Sequence, residues 1–193
     1  MKIRAIILSA LILCGISAVI MYSRAAQPQQ TSSVITQAIN DKNTPMVIKN
    51  LILKMKEQME VNDDQFPELI KEVENYTNSL ADSASVAVLH SMLAEMYQSY
   101  YQRNQWTINQ RTQLSGYIPE DIRVWTSNLF TNKIKEEIDL SLRPTALLQN
   151  TPVSKFKDIL EIGKDSQTLR PTLYEFLAFR ALDIQPTVQI YKD

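Results

Sequence analysis

The sequence predicts an all-α protein made of stacked antiparallel helical hairpins, either tetratricopeptide-like or an irregular α-array. Apolar residues recur at every third or fourth position through most of the chain, which is the spacing of amphipathic helices. The 193 residues include only 3 glycines, too few for the tight turns of sandwiches and barrels or the phosphate-binding loops of Rossmann folds. Prolines and asparagines mark the corners between the apolar stripes, and no repeat of about 34 residues is visible.

Residues 1–25 have the layout of an export signal. A basic start at residues 1–4 precedes an apolar run at residues 5–22, and small residues follow it. We predict a signal-peptidase cut between Ala25 and Ala26, which leaves residues 26–33 as a polar linker. The mature protein is then expected in the periplasm or at the cell surface.

Two alternatives attach the protein to a membrane instead. The apolar run is about 18 residues long, at the lower limit for a helix that spans a bilayer, so an uncleaved signal anchor is the first alternative. Acylation of Cys14 is the second, although a lipobox has a small residue where this chain has Leu13. Membrane association is expected only in these two cases.

Composition excludes several classes of function. Cleavage removes Lys2, Arg4 and Arg24 and no acid, which takes the formal net charge from −1 to −4. A mildly acidic chain lacks the basic surface that nucleic-acid binding requires. Cys14 is the only cysteine, so the mature chain has no thiol for catalysis, metal binding, a disulfide or a thioester. The mature domain must be held together by packing alone.

The predicted helical domain covers residues 34–184 and begins with one or two turns at residues 34–39. Thr44 and Pro45 then suit the N-cap and the first position of a helix, whose apolar stripe continues to Met59.

Asn62-Asp63-Asp64 separates this helix from a second one with a stripe that starts at Phe66. Asp82 or Ser83 caps a longer helix that is predicted to end near Asn104. The short polar turn between the last two helices predicts an antiparallel hairpin.

Residues 105–118 are predicted to form an irregular connector that returns along the hairpin. Residues 119–121, Pro-Glu-Asp, then suit the start of a helix that ends before Pro144. Trp106 and Trp125 are both expected in the core.

Prolines divide the rest of the chain into three short helices. They are predicted at Thr145 to Gln149, Val153 to Ile162 and Thr172 to Asp183.

The last residues, 185–193, have a different pattern from the helical domain. Val188, Ile190 and Tyr191 belong to an alternation of apolar and polar residues that is typical of a half-buried strand. A lone strand has an unpaired edge, so these three residues are candidate contacts to a partner's sheet. The tail also looks like the first strand of a further domain.

Residues that could carry catalysis are few. His90, the lone histidine, has no acid three or four positions away and is interpreted as a satisfied or exposed structural residue. Asp63-Asp64 and Glu120-Asp121 are interpreted as capping acids, and Glu136-Glu137 as part of a solvated helix face. No nucleophile elbow, P-loop, calcium loop or zinc-protease motif is present. We therefore predict a protein that is not an enzyme and that carries no cofactor and no metal.

The segment from Tyr97 to Trp106 is rich in aromatic residues. Tyrosine and tryptophan commonly pack between helices while their polar atoms stay wet, and this packing role is the favoured interpretation. A binding site for a carbohydrate or a peptide is the alternative.

Three parts of the chain resemble the N-terminal helical region of large secreted bacterial proteins of the alpha-2-macroglobulin-like family. They are residues 45–56 with 66–70, residues 88–97 with 100–101 and 109–112, and the most specific one, LRPTLYEFLAFRAL at residues 169–182. In that family the helical region precedes β-sandwich macroglobulin domains, a bait region and, in some members, a thioester. Its members inhibit endopeptidases and are thought to guard the periplasm or cell surface.

The resemblance implies a non-catalytic module that packs on macroglobulin domains of the same or a neighbouring chain, and that meets proteases only through the complete architecture. This chain has neither a bait region nor a Cys–Gln thioester pair, so no inhibitory residue can be carried over, and a truncated piece is expected. The alternative is a free-standing helical-repeat adaptor that binds a peptide or another envelope protein.

Overall fold

The computed structural model describes residues 35–38, 43–61, 65–112, 116–160 and 166–184. These residues form helices and turns and no named β-strand, which confirms the all-α prediction. The helices are α1 (Thr44–Val61), α2 (Phe66–Ser79), α3 (Ser83–Asn109), α4 (Ser127–Ser141), α5 (Thr145–Gln149), α6 (Ser166–Leu169) and α7 (Leu173–Asp183), with a further helical turn at residues 35–38 and 3-10 turns at Ile122–Val124 and Val153–Phe156. The export signal, residues 26–33 and the tail lie outside the described ranges. In the part that the structure describes, no helix is both long and apolar enough to cross a membrane.

The central element is α3, which contacts α1, α2, α4 and α7. Its hairpin with α2 is closed by the short turn at residues 80–82, as predicted. A helix with neighbours on several sides must be apolar or small on several faces, and α3 meets this requirement around most of its circumference. Its buried residues are Ala84, Ser85, Ala87, Val88, Leu89, Ser91, Met92, Leu93, Ala94, Met96, Tyr97, Tyr100, Tyr101 and Ile108.

Two helix boundaries differ from the prediction. The first cap is Asn43 and not Thr44, because the Asn43 side-chain oxygen accepts a hydrogen bond from the Met46 N–H at 3.2 Å. The end of α3 lies at Asn109, five residues later than Asn104. The polar residues before Asn109 form the solvent-facing side of the last turns and do not break the helix, whose inner side is completed by the fully buried Ile108.

The predicted helix start at Pro119 is wrong. Asp121 caps a 3-10 turn by accepting a hydrogen bond from the Arg123 N–H at 2.9 Å, and α4 begins only at Ser127. The indole N–H of Trp125 donates to the Pro119 carbonyl at 2.7 Å. The backbone between these two residues is not a continuous helix, since Asp121 and Trp125 are extended on either side of the 3-10 turn.

The C-terminal part differs from the prediction in two places. Residues Val153–Phe156 form a 3-10 turn followed by further turns instead of the expected helix, and Pro152 and Thr172 form an isolated β-bridge beside which the Val153 N–H donates to the Pro171 carbonyl at 2.9 Å. The short helix α6 was not predicted. By contrast, α7 begins where predicted. Thr172 is its N-cap and forms a reciprocal capping box with Glu175.

Candidate functional site

An aromatic cluster joins α3 to α4. The rings of Tyr97 and Trp125 stack with centroids 5.7 Å apart and an interplanar angle of 7°. Phe130 is fully buried and its ring lies 5.3 Å from Trp125 and 5.7 Å from Tyr100. These contacts confirm the packing role of the tyrosines and the core position of Trp125. The expectation for Trp106 is wrong, since 78% of this residue is exposed on the outer side of α3.

Glu137 is the most deeply buried charged residue of the described chain, with 2% of its surface exposed. One of its oxygens lies 2.7 Å from Nδ1 of His90, whose ring N–H donates, and the other accepts from Lys133 Nζ at 2.8 Å. The interpretation of Glu136-Glu137 as a solvated face therefore holds for Glu136 alone. Adjacent residues of a helix point about 100° apart, so only one of the pair faces α3.

His90 is a satisfied structural histidine, as the sequence interpretation proposed. Its partner could not be found by helical spacing, because Glu137 belongs to another helix and lies 47 positions further along the chain.

Lys133 extends this network to the surface. Its ammonium lies 3.3 Å from a Glu136 oxygen and 3.9 Å from a Glu74 oxygen. The Tyr97 hydroxyl donates to the same Glu74 oxygen at 2.7 Å. The network thus ties α2, α3 and α4 together, and we call it the ion network: His90, Glu137, Lys133, Glu136, Glu74 and Tyr97.

Burial and pairing act in opposite directions on the pKa values of this network. Burial alone would raise the pKa of Glu137, but hydrogen bonds from His90 and Lys133 and the charge of Lys133 bring it below its ordinary value. Burial would lower the pKa of Lys133, and its pairing with Glu137 and Glu136 raises it instead. Burial first, and then the Glu74 carboxylate, raise the pKa of Tyr97. The geometry favours an ionised Glu137–Lys133 pair at neutral pH.

Both oxygens of Glu137 are hydrogen-bonded inside the helix interface, which is the arrangement of a structural ion pair. Among the described residues, no group of three or more histidine, cysteine or acidic side chains is placed to hold a metal ion. The chemistry available at this site is the anchoring of three helices.

A groove of about 540 Å³ opens beside the ion network, between α2, α4 and the connector of residues 116–126. We call it the connector groove. It is lined by Ile70, Lys71, Glu74, Tyr97, Ile118, Glu120, Ile122, Trp125, Leu129, Asn132, Lys133 and Glu136.

The connector exposes large apolar side chains, and one of them, Ile118, lines this groove. Tyr117 is 60% exposed, Ile118 69% and Val124 54%. Single exposed apolar residues are ordinary on protein surfaces, but several of them on one short connector beside a groove are typical of an interaction site. Gly116 starts the connector with a φ of 76°, a left-handed conformation that glycine adopts without strain.

One feature of the sequence could have identified this surface. Tyr117 and Ile118 are two large apolar residues between Gly116 and Pro119, where a turn normally carries polar residues. Neither residue belongs to a helical stripe, so burial in the domain core was not required of them.

Concave regions also lie elsewhere on the described chain. A cavity of about 280 Å³ lies between α1, α3 and α7, and Arg180 at its edge pairs with Glu95 at 2.6 Å and with the Ser91 hydroxyl at 3.1 Å. A groove of about 480 Å³ separates α4 from α7 and exposes Leu182.

The predicted cleavage residues Ala25 and Ala26, and the predicted partner contacts Val188, Ile190 and Tyr191, lie outside the described residues. No protein-family model, curated protein or solved structure matches this chain. The resemblance to the alpha-2-macroglobulin-like family stays a prediction.

Proposed function

We propose that this chain is an exported, non-catalytic helical module that binds another protein of the cell envelope. The observation that carries the proposal is the connector groove lined by the exposed Ile118, on a connector that also exposes Tyr117 and Val124. Aromatic and large apolar residues are enriched in the buried centres of protein interfaces. The aromatic cluster and the ion network fix α2, α3 and α4 around the groove, and a preorganised surface loses less entropy on binding.

The family resemblance supplies one class of partner, the β-sandwich macroglobulin domains of the same or a neighbouring chain. Through that architecture the module would take part in endopeptidase inhibition without contributing an inhibitory residue. The alternative is a free-standing periplasmic adaptor that binds a peptide. The size of the connector groove favours this alternative, because a volume of about 540 Å³ accommodates a few side chains of a narrow peptide segment.

Site-specific crosslinking in the native host tests the proposed binding function. We expect a photoreactive phenylalanine analogue at Tyr117 to give a discrete crosslinked protein, because the connector would lie in the interface. The same analogue at Trp106 is the matched control, since this aromatic residue is exposed on the last turns of α3 and lies outside the connector. The measurement is the gel pattern of the exported protein after illumination.

The crosslink at Tyr117 should disappear when Ile118→Asp is added, because a carboxylate cannot enter an apolar contact without a large desolvation cost. Equal crosslinking at both positions, or a crosslink that survives Ile118→Asp, would contradict the proposal. The exported protein should also leave endopeptidases uninhibited. Stoichiometric inhibition of any one of them would show that the module carries an inhibitory site.

Export is tested by the residue before the proposed cut. Ala25→Asp should block cleavage and leave the precursor in the membrane fraction, because the signal peptidase accepts only small uncharged residues at this position. Mass spectrometry of the exported wild-type protein should find Ala26 as the first residue. An intact N-terminus, or a lipid adduct on Cys14, would instead show a membrane-anchored protein.

A further inference from the structure

We propose that the connector groove selects a partner segment that presents a large apolar side chain next to a lysine or arginine. This inference rests on the proposed function of protein binding and adds the chemistry of the partner. It is carried by the apolar and acidic residues that line the groove together.

The apolar part of the groove lies between the connector and α4. Ile122 and Trp125 are buried and form its floor, while Ile118 and Leu129 remain accessible beside them. The Trp125 ring is held in place by its stack on Tyr97 and by its hydrogen bond to the Pro119 carbonyl. A fixed aromatic floor with accessible aliphatic walls suits a leucine-sized or phenylalanine-sized anchor.

The charged part of the groove is acidic in sum. Glu74, Glu120 and Glu136 contribute three carboxylates, and Lys71 and Lys133 contribute two ammonium groups. Lys133 lies 2.8 Å from the buried Glu137, 3.3 Å from Glu136 and 3.9 Å from Glu74, so its single charge is shared among three carboxylates. With Glu137 included, four carboxylates meet the two ammonium groups of Lys71 and Lys133, which leaves an excess of two negative charges.

Glu120 is the carboxylate best placed to meet a partner. It is exposed on the connector, two residues after Ile118, and no described residue forms an ion pair with it. An apolar anchor beside Ile118 would bring a neighbouring basic side chain within reach of Glu120. An acidic neighbour would be repelled, so the groove distinguishes the two by charge.

Trp125 can report on occupancy of the groove. The chain has two tryptophans, so Trp106→Phe leaves Trp125 as the sole tryptophan without changing the core. The protein is purified from the periplasm of an expressing bacterium. The probes are three capped peptides, Gly-Lys-Leu-Lys-Gly, Gly-Lys-Ser-Lys-Gly and Gly-Glu-Leu-Glu-Gly, and binding is measured by Trp125 emission and by calorimetry in parallel.

We expect the basic–apolar peptide to bind at least roughly tenfold more tightly than the other two, with an affinity that falls as salt is added. Glu120→Lys combined with Glu136→Lys should reverse the preference in favour of the acidic–apolar peptide. Asp158→Lys is the matched control, because Asp158 is exposed and outside the groove, and it should leave the order unchanged.

The outcomes separate this inference from the proposed function. Equal binding of the two leucine peptides, lost in Ile118→Asp, would support protein binding at the groove and overturn the charge preference. A crosslink at Tyr117 with no peptide binding by either readout would also overturn the preference. Absence of the Tyr117 crosslink would instead overturn the proposed function on which it rests.

Discussion

We expect Trp125→Ala to lower the free energy of unfolding by about 3–5 kcal/mol, and Trp106→Ala to change it by less than about 0.5 kcal/mol. Trp125 is 8% exposed and contacts Tyr97 and Phe130 at the α3–α4 interface, whereas Trp106 is 78% exposed. Removing the buried ring leaves a cavity lined by aromatic residues that cannot collapse freely. Urea unfolding followed by far-ultraviolet circular dichroism measures both variants.

Trp125→Phe separates packing from hydrogen bonding in the same position. Phenylalanine keeps most of the ring contacts but leaves the Pro119 carbonyl without the indole donor, so we expect a smaller loss of about 1–2 kcal/mol. Equal destabilisation by Trp125→Ala and Trp106→Ala would contradict the position of the two residues in the fold. It would favour the sequence-based expectation that both lie in the core.

The difference between these two tryptophans shows what local sequence could predict. Apolar spacing identified the stripes of α1, α2 and α3, because each of these helices buries a face against the others. The proline-marked start of α7 at Thr172 was also predicted, whereas the starts capped by Asn43 and Asp121 were placed at other residues. The prediction that Trp106 lies in the core was wrong because its apolar character was taken to mean burial. Only tertiary contacts decide which side of the last turn of α3 is covered by the rest of the protein.

The candidate site was predicted less well than the fold, for a physical reason. The neighbours of Glu137 are His90, on α3, and Lys133, one turn earlier on its own helix. Spacing within one helix can suggest the Lys133 contact, but it cannot show that α3 covers this face. The connector groove likewise depends on the irregular backbone between Pro119 and Trp125. This backbone was not predicted, because a proline followed by two acids is the usual pattern of a helix start.

We expect Lys133→Met to destabilise the protein by about 2–3 kcal/mol at pH 7. The variant leaves the Glu137 carboxylate, which is 2% exposed, with His90 as its remaining described partner. Breaking a fully buried ion pair costs about 3–5 kcal/mol. We expect the smaller loss of about 2–3 kcal/mol because a quarter of the Lys133 side chain is exposed to water. Urea unfolding at a series of pH values is the measurement.

The pH dependence of this loss has a definite sign. The folded protein lowers the pKa of Glu137, so the stabilisation from its ionised form is present above the unfolded value of about 4.3 and is lost as the pH falls through the folded pKa. The folded protein raises the pKa of Lys133, so its contribution is present below about 10.4 and is lost as the pH rises through the folded pKa. The difference in free energy of unfolding between wild type and Lys133→Met should therefore become smaller at both low and high pH.

The double variant Lys133→Met with Glu137→Leu tests whether the loss comes from an unpaired buried charge. Replacing both partners removes the carboxylate that Lys133→Met leaves behind, so most of the stability should return, while His90 keeps partial access to water. A double variant as unstable as Lys133→Met would show that the lysine acts through packing on Tyr97, whose ring centroid lies 6.0 Å from its ammonium. A difference in free energy of unfolding between wild type and Lys133→Met that stays constant from pH 3 to pH 7 would contradict an ionised Glu137. A neutral carboxyl would have no charge for Lys133 to balance.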